Sequence, residues 1–318
     1  VGNLYWSGDA RMRYTASSLK DKEDAYDGRI RLNVKGQVND ATYVQGQFVN
    51  NMNFKDEASS NTTMAQIYVN HNFNKNVAVR LGRQPIAFGN QGGWLYNGLE
   101  GYDGAQASYN NGKLSLTTGF GQLNASVFTD DTDPDGNVIS YGVTGTDMYF
   151  AKGAYDFGFA KLGADYVKFQ GDTNSTDHYV AGDELYGINL NIPVQKFNVF
   201  GEYWKNTNAA DKYDTAWNAG LSYGKADWKK AGTWDLSVAY NDVDYNVYFG
   251  GGTWHNDMLK NFTAGYLNAY NLTFWTAIAN VTLQKNVQLH AEYAFAADAE
   301  GTNGVDPDDS WTVSLNYK

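Results

Sequence analysis

The chain has 318 residues, of which 42% are hydrophobic, 19% charged and 15% aromatic, and its formal net charge is −11. It contains no cysteine, which excludes disulfide scaffolds, Cys-ligated metal sites and thiol catalysis. Only six Arg residues occur in this acidic chain, and phosphate contacts need clustered cations, so nucleic-acid binding is not expected. The longest apolar run has five residues, which is too short for a membrane-spanning helix.

Apolar and polar residues alternate along nearly the whole chain, which predicts β-strands rather than helices. The alternation is clear from residue 6 to residue 14 and again at the end of the chain, where Trp311, Val313, Leu315 and Tyr317 alternate with polar residues. No linker interrupts the pattern, so residues 1–318 are predicted to form a single domain. The sixteen predicted strands span 3–17, 26–38, 41–54, 63–73, 77–84, 103–110, 113–122, 147–156, 160–170, 184–192, 197–206, 215–224, 233–245, 271–283, 287–296 and 310–318.

The connections between these strands alternate between short and long. The short connections are 39–40, 74–76, 110–112, 193–196 and 284–286. The long and polar connections are 85–102, 123–146, 171–183, 246–270 and 297–309. This alternation predicts an all-β fold, a transmembrane antiparallel β-barrel of the outer membrane with short periplasmic turns and long extracellular loops.

The residues on the apolar face distinguish such a barrel from a soluble β-sandwich, which would show the same alternation. Several strands carry an aromatic residue at each end of this face, as in Phe197–Tyr203 and Trp234–Tyr240. Six residues of a tilted strand rise by roughly 15 Å, so the rings are predicted to form two girdles around a lipid-facing band. The opposite face carries amide, hydroxyl and charged side chains. A dry core would not accept these groups unpaired, and sixteen strands enclose an aqueous channel.

Three segments resemble porin barrels that follow a surface-layer-homology domain, the OmpM type. The segments are 6–14 (WSGDARMRY), 79–89 (VRLGRQPIAFG) and 275–287 (WTAIANVTLQKNV). The resemblance implies a sixteen-stranded homotrimer that passes small hydrophilic solutes and has its third long loop, about 85–102, folded inward. It also implies a peptidoglycan tether supplied only by regions N-terminal to this chain. Such barrels usually end on an aromatic residue, whereas this chain ends Tyr317-Lys318.

A pore constriction is predicted where Arg residues of the early strands face this loop. Five of them have lumen parity, and the sixth lies at the predicted end of strand five. A cationic wall opposite an acidic loop would set a transverse field across a narrow opening. The alternative is that the Arg side chains pair with carboxylates and stiffen the wall. The predicted constriction residues are Arg11, Arg13, Arg29, Arg31, Arg80, Arg83, Glu100 and Asp103, with Trp94 and Tyr96 on the loop.

A second candidate site lies in the long loop 123–146. Asp131, Asp133 and Asp135 have the spacing of a calcium-binding loop, but Gly142 stands where an EF-hand needs a bidentate Glu. A solvated acidic loop tip is therefore favoured over a structural Ca²⁺ site, and no other cofactor is expected.

The function predicted from these features is an outer-membrane porin for ions and small hydrophilic solutes, surrounded by lipid. A substrate-specific sugar or nutrient channel is the alternative, with Trp94, Tyr96, Phe200 and Trp204 as a stacking path. An outer-membrane phospholipase would need a Ser–His pair, and none of the four His residues lies in a recognisable nucleophile motif. The homotrimer is predicted to pack through strands one to five and the last strand, where Gly8, Ala10, Val44, Gly46, Ala65 and Ile67 lie on the outward face.

Overall fold

A computed structural model describes residues 3–318 except 56–59, 91, 125–129, 133–137, 141–145, 171–183, 210–211, 248–253, 264 and 302–303. This part of the chain is almost entirely strand, and its one helix, α1, spans only Met258–Thr263. None of its helical segments has the length and apolar character that crossing a membrane requires.

Sixteen strands form one closed antiparallel barrel, in which the first strand pairs with the last. Closure gives every barrel strand a partner on both sides, so backbone N–H and C=O groups find partners within the sheet. The barrel strands are β1 (Leu4–Ala16), β2 (Ala25–Asn39), β3 (Thr42–Asn53), β4 (Ser60–Asn72), β5 (Val77–Phe88), β6 (Tyr96–Asn110), β7 (Leu114–Leu123), β10 (Thr146–Asp156), β11 (Lys161–Gln170), β12 (Glu184–Val194), β13 (Phe197–Asn206), β14 (Thr215–Gly224), β15 (Trp234–Asp244), β16 (Asn271–Gln284), β17 (Val287–Glu300) and β18 (Ser310–Tyr317). Two short strands, β8 (Asp130–Thr132) and β9 (Val138–Ser140), pair with each other outside the barrel.

Each of the sixteen predicted strands corresponds to a barrel strand, which confirms the predicted fold. The largest difference concerns the predicted loop 85–102. Strand β5 continues to Phe88 and β6 already begins at Tyr96, so this segment is mostly a paired hairpin. The register shifts between Gln84 and Ile86, and Pro85 lies at this irregularity, where a strand tolerates the missing N–H.

Exposed aromatic rings surround the outer face near both ends of the barrel. At the short-turn end, the rings of Phe197, Tyr223 and Trp234 contact one another at centroid distances of 4.9 and 5.5 Å. At the long-loop end, Trp217, Tyr240 and Trp275 form a similar chain at 5.5 and 5.2 Å. Exposed aliphatic side chains lie between the two rows, among them Ile188, Leu190, Val199, Leu221 and Val238. The outer surface therefore has the two girdles and the apolar band that the sequence predicts.

The inner face differs between the two ends of the barrel. Near the short turns it is polar, with Asn189 and Asn191 on β12 as examples. Near the long loops, from β6 to β17, it carries apolar residues that are almost fully buried, such as Phe169 and Phe274. Since barrel walls cannot bury these side chains alone, other segments must fill the interior beside them.

Candidate functional site: the barrel interior

Four Arg residues form a ladder on the inner face of β1 and β2. Arg11 lies opposite Arg29 in the strand register, Arg31 opposite Asp9, and Arg13 opposite Asp27. Arg31 Nη2 lies 2.7 Å from Asp9 Oδ2, and Arg13 Nε lies 2.7 Å from Asp27 Oδ2. Arg29 and Arg11 approach the same two carboxylates at 3.6 Å.

The sequence leaves open whether the Arg residues form a cationic wall or pair with carboxylates and stiffen it, and the ladder does both. Four guanidinium groups share two carboxylates, so two positive charges are not neutralised within β1 and β2. The carboxylates belong to the same strands, not to the inward loop. The wall is therefore both stiffened by ion pairs and cationic.

Arg80 on β5 faces the interior without a carboxylate partner in the described part of the chain. Its guanidinium carbon lies 4.4 Å from the centre of the Tyr68 ring on the neighbouring strand. Its Nε atom is buried and has no hydrogen-bond partner. Arg80 thus places a positive charge without a carboxylate partner at the wall of the interior.

Arg83 and Asp103 do not lie in the interior, in contrast to the prediction. Arg83 is opposite Ile67 and Asp103 in the register, on the outward face that also carries exposed Leu81. Arg83 Nε and Nη2 each donate to Asp103 at 2.8 Å. The prediction failed because β5 does not end at residue 84, so Arg83 keeps its outward parity. The side chain of Glu100 lies outside the described residues.

The hairpin formed by the ends of β5 and β6 reaches across the interior to β11–β13. The N–H of Gly89 donates to Asp165 at 3.1 Å, and the N–H of Asn90 donates to Glu202 at 2.9 Å. Gly89 has φ of +96°, and an added Cβ would lie 2.5 Å from Glu202 Oε2, so only glycine fits here. The acidic groups at this contact belong to the wall, and the hairpin supplies backbone donors.

Trp94 and Tyr96 are each only 1% exposed. They pack among buried apolar residues rather than lining an open path. Phe200 and Trp204 are buried as well, at 3% and 1% exposure. The predicted aromatic stacking path for a solute is therefore wrong.

A second segment also folds into the interior, which the sequence does not predict: the described residues of 245–270, namely 245–247, 254–263 and 265–270, called segment 245–270 below. Glu292 on β17 accepts hydrogen bonds from the N–H groups of His255 and Asn256, each at 2.7 Å, and from Asn256 Nδ2 at 2.8 Å. Asp257 accepts from Ser18 N–H and Ser17 Oγ–H, both at 3.0 Å, just after β1. These contacts fix the segment to the wall at two places.

The two inward segments meet each other within the barrel. Trp94 of the hairpin and Trp254 of the second segment contact edge to face, with ring centroids 6.5 Å apart. Together with the inner faces of β6–β17 they form one apolar cluster, which includes Met258 and Phe262 of α1. We call this cluster the plug. The sequence predicts an aqueous channel narrowed by one inward loop, and the plug shows that the long-loop half is largely dry on this side.

A sequence signal for the plug exists. On β11, inward parity passes from Gly163 and Asp165 to Val167 and Phe169, and both apolar residues are fully buried. On β16, Leu272 and Phe274 occupy the same end of the barrel and are equally buried. Apolar residues with lumen parity near the long loops therefore indicate that another segment of the chain folds into the barrel and covers them.

His255 of the second segment lies between the Arg ladder and β17. Its Nε2 atom is 3.3 Å from Arg11 Nη1, so the guanidinium donates to it. Burial holds the pKa of the His255 imidazole well below its usual range. His255, His290 and Glu292 place possible metal-ligand atoms within 4.8 Å of one another. The Arg11 guanidinium beside His255 repels cations, so the group does not favour a metal.

The predicted calcium ligands cannot be compared with the structure. Asp133 and Asp135 lie outside the described residues, and so does the side chain of Asp131. A Ca²⁺ site in this loop stays a prediction.

A polar cavity of about 440 Å³ lies beneath the hairpin, against β5–β7 and β10–β12. Its charged lining residues are Arg80, Lys152, Lys161 and Asp165. Lys152 is fixed by a hydrogen bond from its ammonium to the carbonyl of Ala87.

Comparisons with known proteins support the fold. No family model matches the chain, and no curated protein sequence matches it. Its structure is similar to Pseudomonas putida OprB, with a TM-score of 0.62 and 9% identity over 99% of this chain and 93% of that one. It is also similar to a variant of Rh. blastica porin (TM-score 0.61, 10% identity, 99% of each chain). A Salmonella typhi OmpF in complex with daunomycin gives a TM-score of 0.60 and 14% identity over 99% of this chain and 98% of that one. The chain therefore has the sixteen-stranded barrel fold of porins, and the more specific resemblance to OmpM-type barrels stays a prediction.

Proposed function

We propose that the chain forms an outer-membrane channel for ions and small hydrophilic solutes. Two observations together carry this proposal. The outer surface has an apolar band between two aromatic girdles, and the inner wall has the Arg ladder of β1 and β2. An apolar outside and a charged inside suit a barrel surrounded by lipid. The similarity to solved porins supports the proposal, because those barrels match this chain over 99% of its length.

The passage is expected to run between the Arg ladder and the plug. On one side, Arg13, Arg29 and Arg31 keep roughly a fifth to a quarter of their side-chain surface exposed, at 23%, 21% and 26%. On the other side, the two inward segments fill the barrel along β6–β17. The constriction thus has a cationic wall and a partly apolar partner, in place of the acidic loop that the sequence predicts.

A conductance experiment tests the proposal. The purified chain, added to a planar lipid bilayer, should give discrete conductance steps that heat-denatured protein does not give. Replacing Arg29 and Arg31 together by Ser should move the reversal potential toward cation preference, because two positive charges leave the wall. Lys285→Ser in the short turn 285–286 is the matched control. Bilayers that stay silent with folded protein would refute the channel.

We further infer that the channel is a homotrimer that packs through β1–β5 and β18. The exposed outward residues there include Ile30, Leu32, Phe48 and Ile67. Ala65 is fully buried opposite a register shift in β3, so it does not belong to this surface. The Arg83–Asp103 pair on the outward face supports the inference, since charges facing hydrocarbon are costly and a protein neighbour would receive them better.

A barrel enzyme has less support from the described residues. His71 Nδ1 bonds to Thr42 Oγ1 at 2.9 Å, and His290 bonds to Asn280 and Glu292. His255 bonds to Arg11. These partners do not form the Ser–His pair that a serine hydrolase uses.

A further inference from the structure

The cavity beneath the hairpin has an unbalanced charge. Lys152 and Asp165 lie opposite each other on β10 and β11, so their charges largely cancel. Arg80 and Lys161, on β5 and β11, have no carboxylate within 4.0 Å among the described residues. Asp156 is opposite Lys161, but its carboxylate accepts a hydrogen bond from Gly158 N–H at 2.7 Å and does not line the cavity. The lining thus carries two net positive charges.

The neutral groups of the cavity are hydrogen-bonding side chains. Asn189 and Asn191 of β12, Gln106 of β6, and Ser115 and Thr117 of β7 face the same space. Amides and hydroxyls both donate and accept, so they suit a ligand that carries several hydroxyl groups. A volume of about 440 Å³ lies within the range of small-ligand sites.

Arg80 supplies the most specific indication of an anionic ligand. Its Nε–H is buried without an acceptor, and leaving such a donor unpaired is costly. The guanidinium plane is held against the Tyr68 ring, so its orientation is set before a ligand arrives. The Arg80 side chain lines the cavity, and a guanidinium is a strong hydrogen-bond donor to a carboxylate.

We propose that this cavity is a binding site for small polyhydroxylated carboxylates, the class of sugar acids. Arg80 and Lys161 hold the carboxylate, and the amides and hydroxyls of β6, β7 and β12 hold the hydroxyl groups. The site lies on the solute path of the channel proposed above and rests on that function. It makes the channel a saturable path for these anions, in contrast to free diffusion for neutral sugars of equal size.

Gluconate and glucose form a matched pair of probes, because they have similar size and hydroxyl content but differ in charge. In single-channel recordings with KCl, gluconate should reduce the current with a half-blocking concentration at least fivefold lower than that of glucose. The double variant Arg80→Gln/Lys161→Gln should remove this difference. Lys113→Gln, at the short turn 111–113, should keep it.

The outcomes separate this site from the channel itself. Conductance steps with equal block by gluconate and glucose overturn the site and leave the channel standing. Silent bilayers overturn the channel function on which the site depends. Because the double variant could fold poorly, Lys161→Gln alone is measured as well, since Lys161 is exposed and forms no ion pair with the described residues. An unchanged preference for gluconate in both variants also overturns the proposal.

Discussion

Glu292 holds the second inward segment through one buried carboxylate. It accepts from the backbone of His255 and Asn256 and from the Asn256 side chain. A carboxylate offers only acceptors, whereas an amide presents an NH₂ group to these N–H donors. A single substitution at Glu292 should therefore release the segment without removing any volume from the wall.

Glu292→Gln is expected to increase the single-channel conductance and its fluctuation. The destabilisation of the docked segment should be about 2–3 kcal/mol, the usual cost of unpairing a charged, buried hydrogen-bond acceptor. Single-channel recordings at fixed voltage measure the effect. Asp298→Asn lies on the same strand with an exposed side chain and should behave as the unmodified chain. Equal conductance and noise in all three proteins would show that Glu292 does not hold the segment.

Acidification is expected to loosen the same segment. Arg11 and Arg13 of β1 and His290 and Glu292 of β17 surround the His255 imidazole, and burial lowers its pKa. A released segment would expose His255 at its usual pKa near 6.5, so protons bind the released state more strongly. The docked state therefore loses stability as pH falls below about 6.5, by up to tenfold in population per pH unit.

The measurement is the frequency of high-conductance events at pH 7.5 and pH 5.5. These events should become more frequent at pH 5.5 in the unmodified chain. His255→Gln should weaken the pH dependence, because Gln does not titrate. A pH response of the same size in that variant would assign the effect to another group.

At the scale of elements, the hairpin at 85–102 and the described residues of segment 245–270 supply the two inward-folded parts of the plug. They contact each other through Trp94 and Trp254 and share the same apolar cluster. Replacing residues 246–268 by a short Gly-Ser connection should raise conductance about as much as deleting residues 90–98. The variants are compared by conductance per channel and by heat-modifiable migration, which reports barrel integrity. A large increase from the 90–98 deletion alone would mean that the second segment does not narrow the passage.

The elements also show what the sequence can predict. Period-two alternation places all sixteen barrel strands, because lipid and lumen impose opposite polarity on successive residues. It predicts a loop over 85–102 because Pro85 and the glycines have the composition of a loop, although β5 continues to Phe88 and pairs there with Tyr96 of β6. Segment 245–270 lacks periodicity of its own. Its position depends on single contacts such as Asp257 with Ser18, which join residues far apart in sequence, and no local pattern reports them.

At the scale of the whole molecule, the outward Arg83–Asp103 pair provides a test of assembly. If another copy covers β5, the Arg83 and Asp103 charges contact that copy. Replacing both residues by Leu removes these polar contacts and should weaken the trimer. Mass measurement in mild detergent should then show more monomer than in the unmodified chain. Phe197→Leu, an outward change far around the barrel on β13, is the control. A trimer of unchanged stability would place the pair in contact with lipid or solvent.

The contacts of segment 245–270 also link its docking to the completion of the barrel. One anchor, Glu292, belongs to β17, and the other, Ser17–Ser18, follows β1; between these strands lies β18, whose pairing with β1 closes the sheet. The two anchors come within reach of one segment only after the first and last strands have joined. The segment thus acts as a strap across the closing seam, and its docking must be a late event in biogenesis. Until β1 and β18 pair, the segment can reach only one of its two anchors.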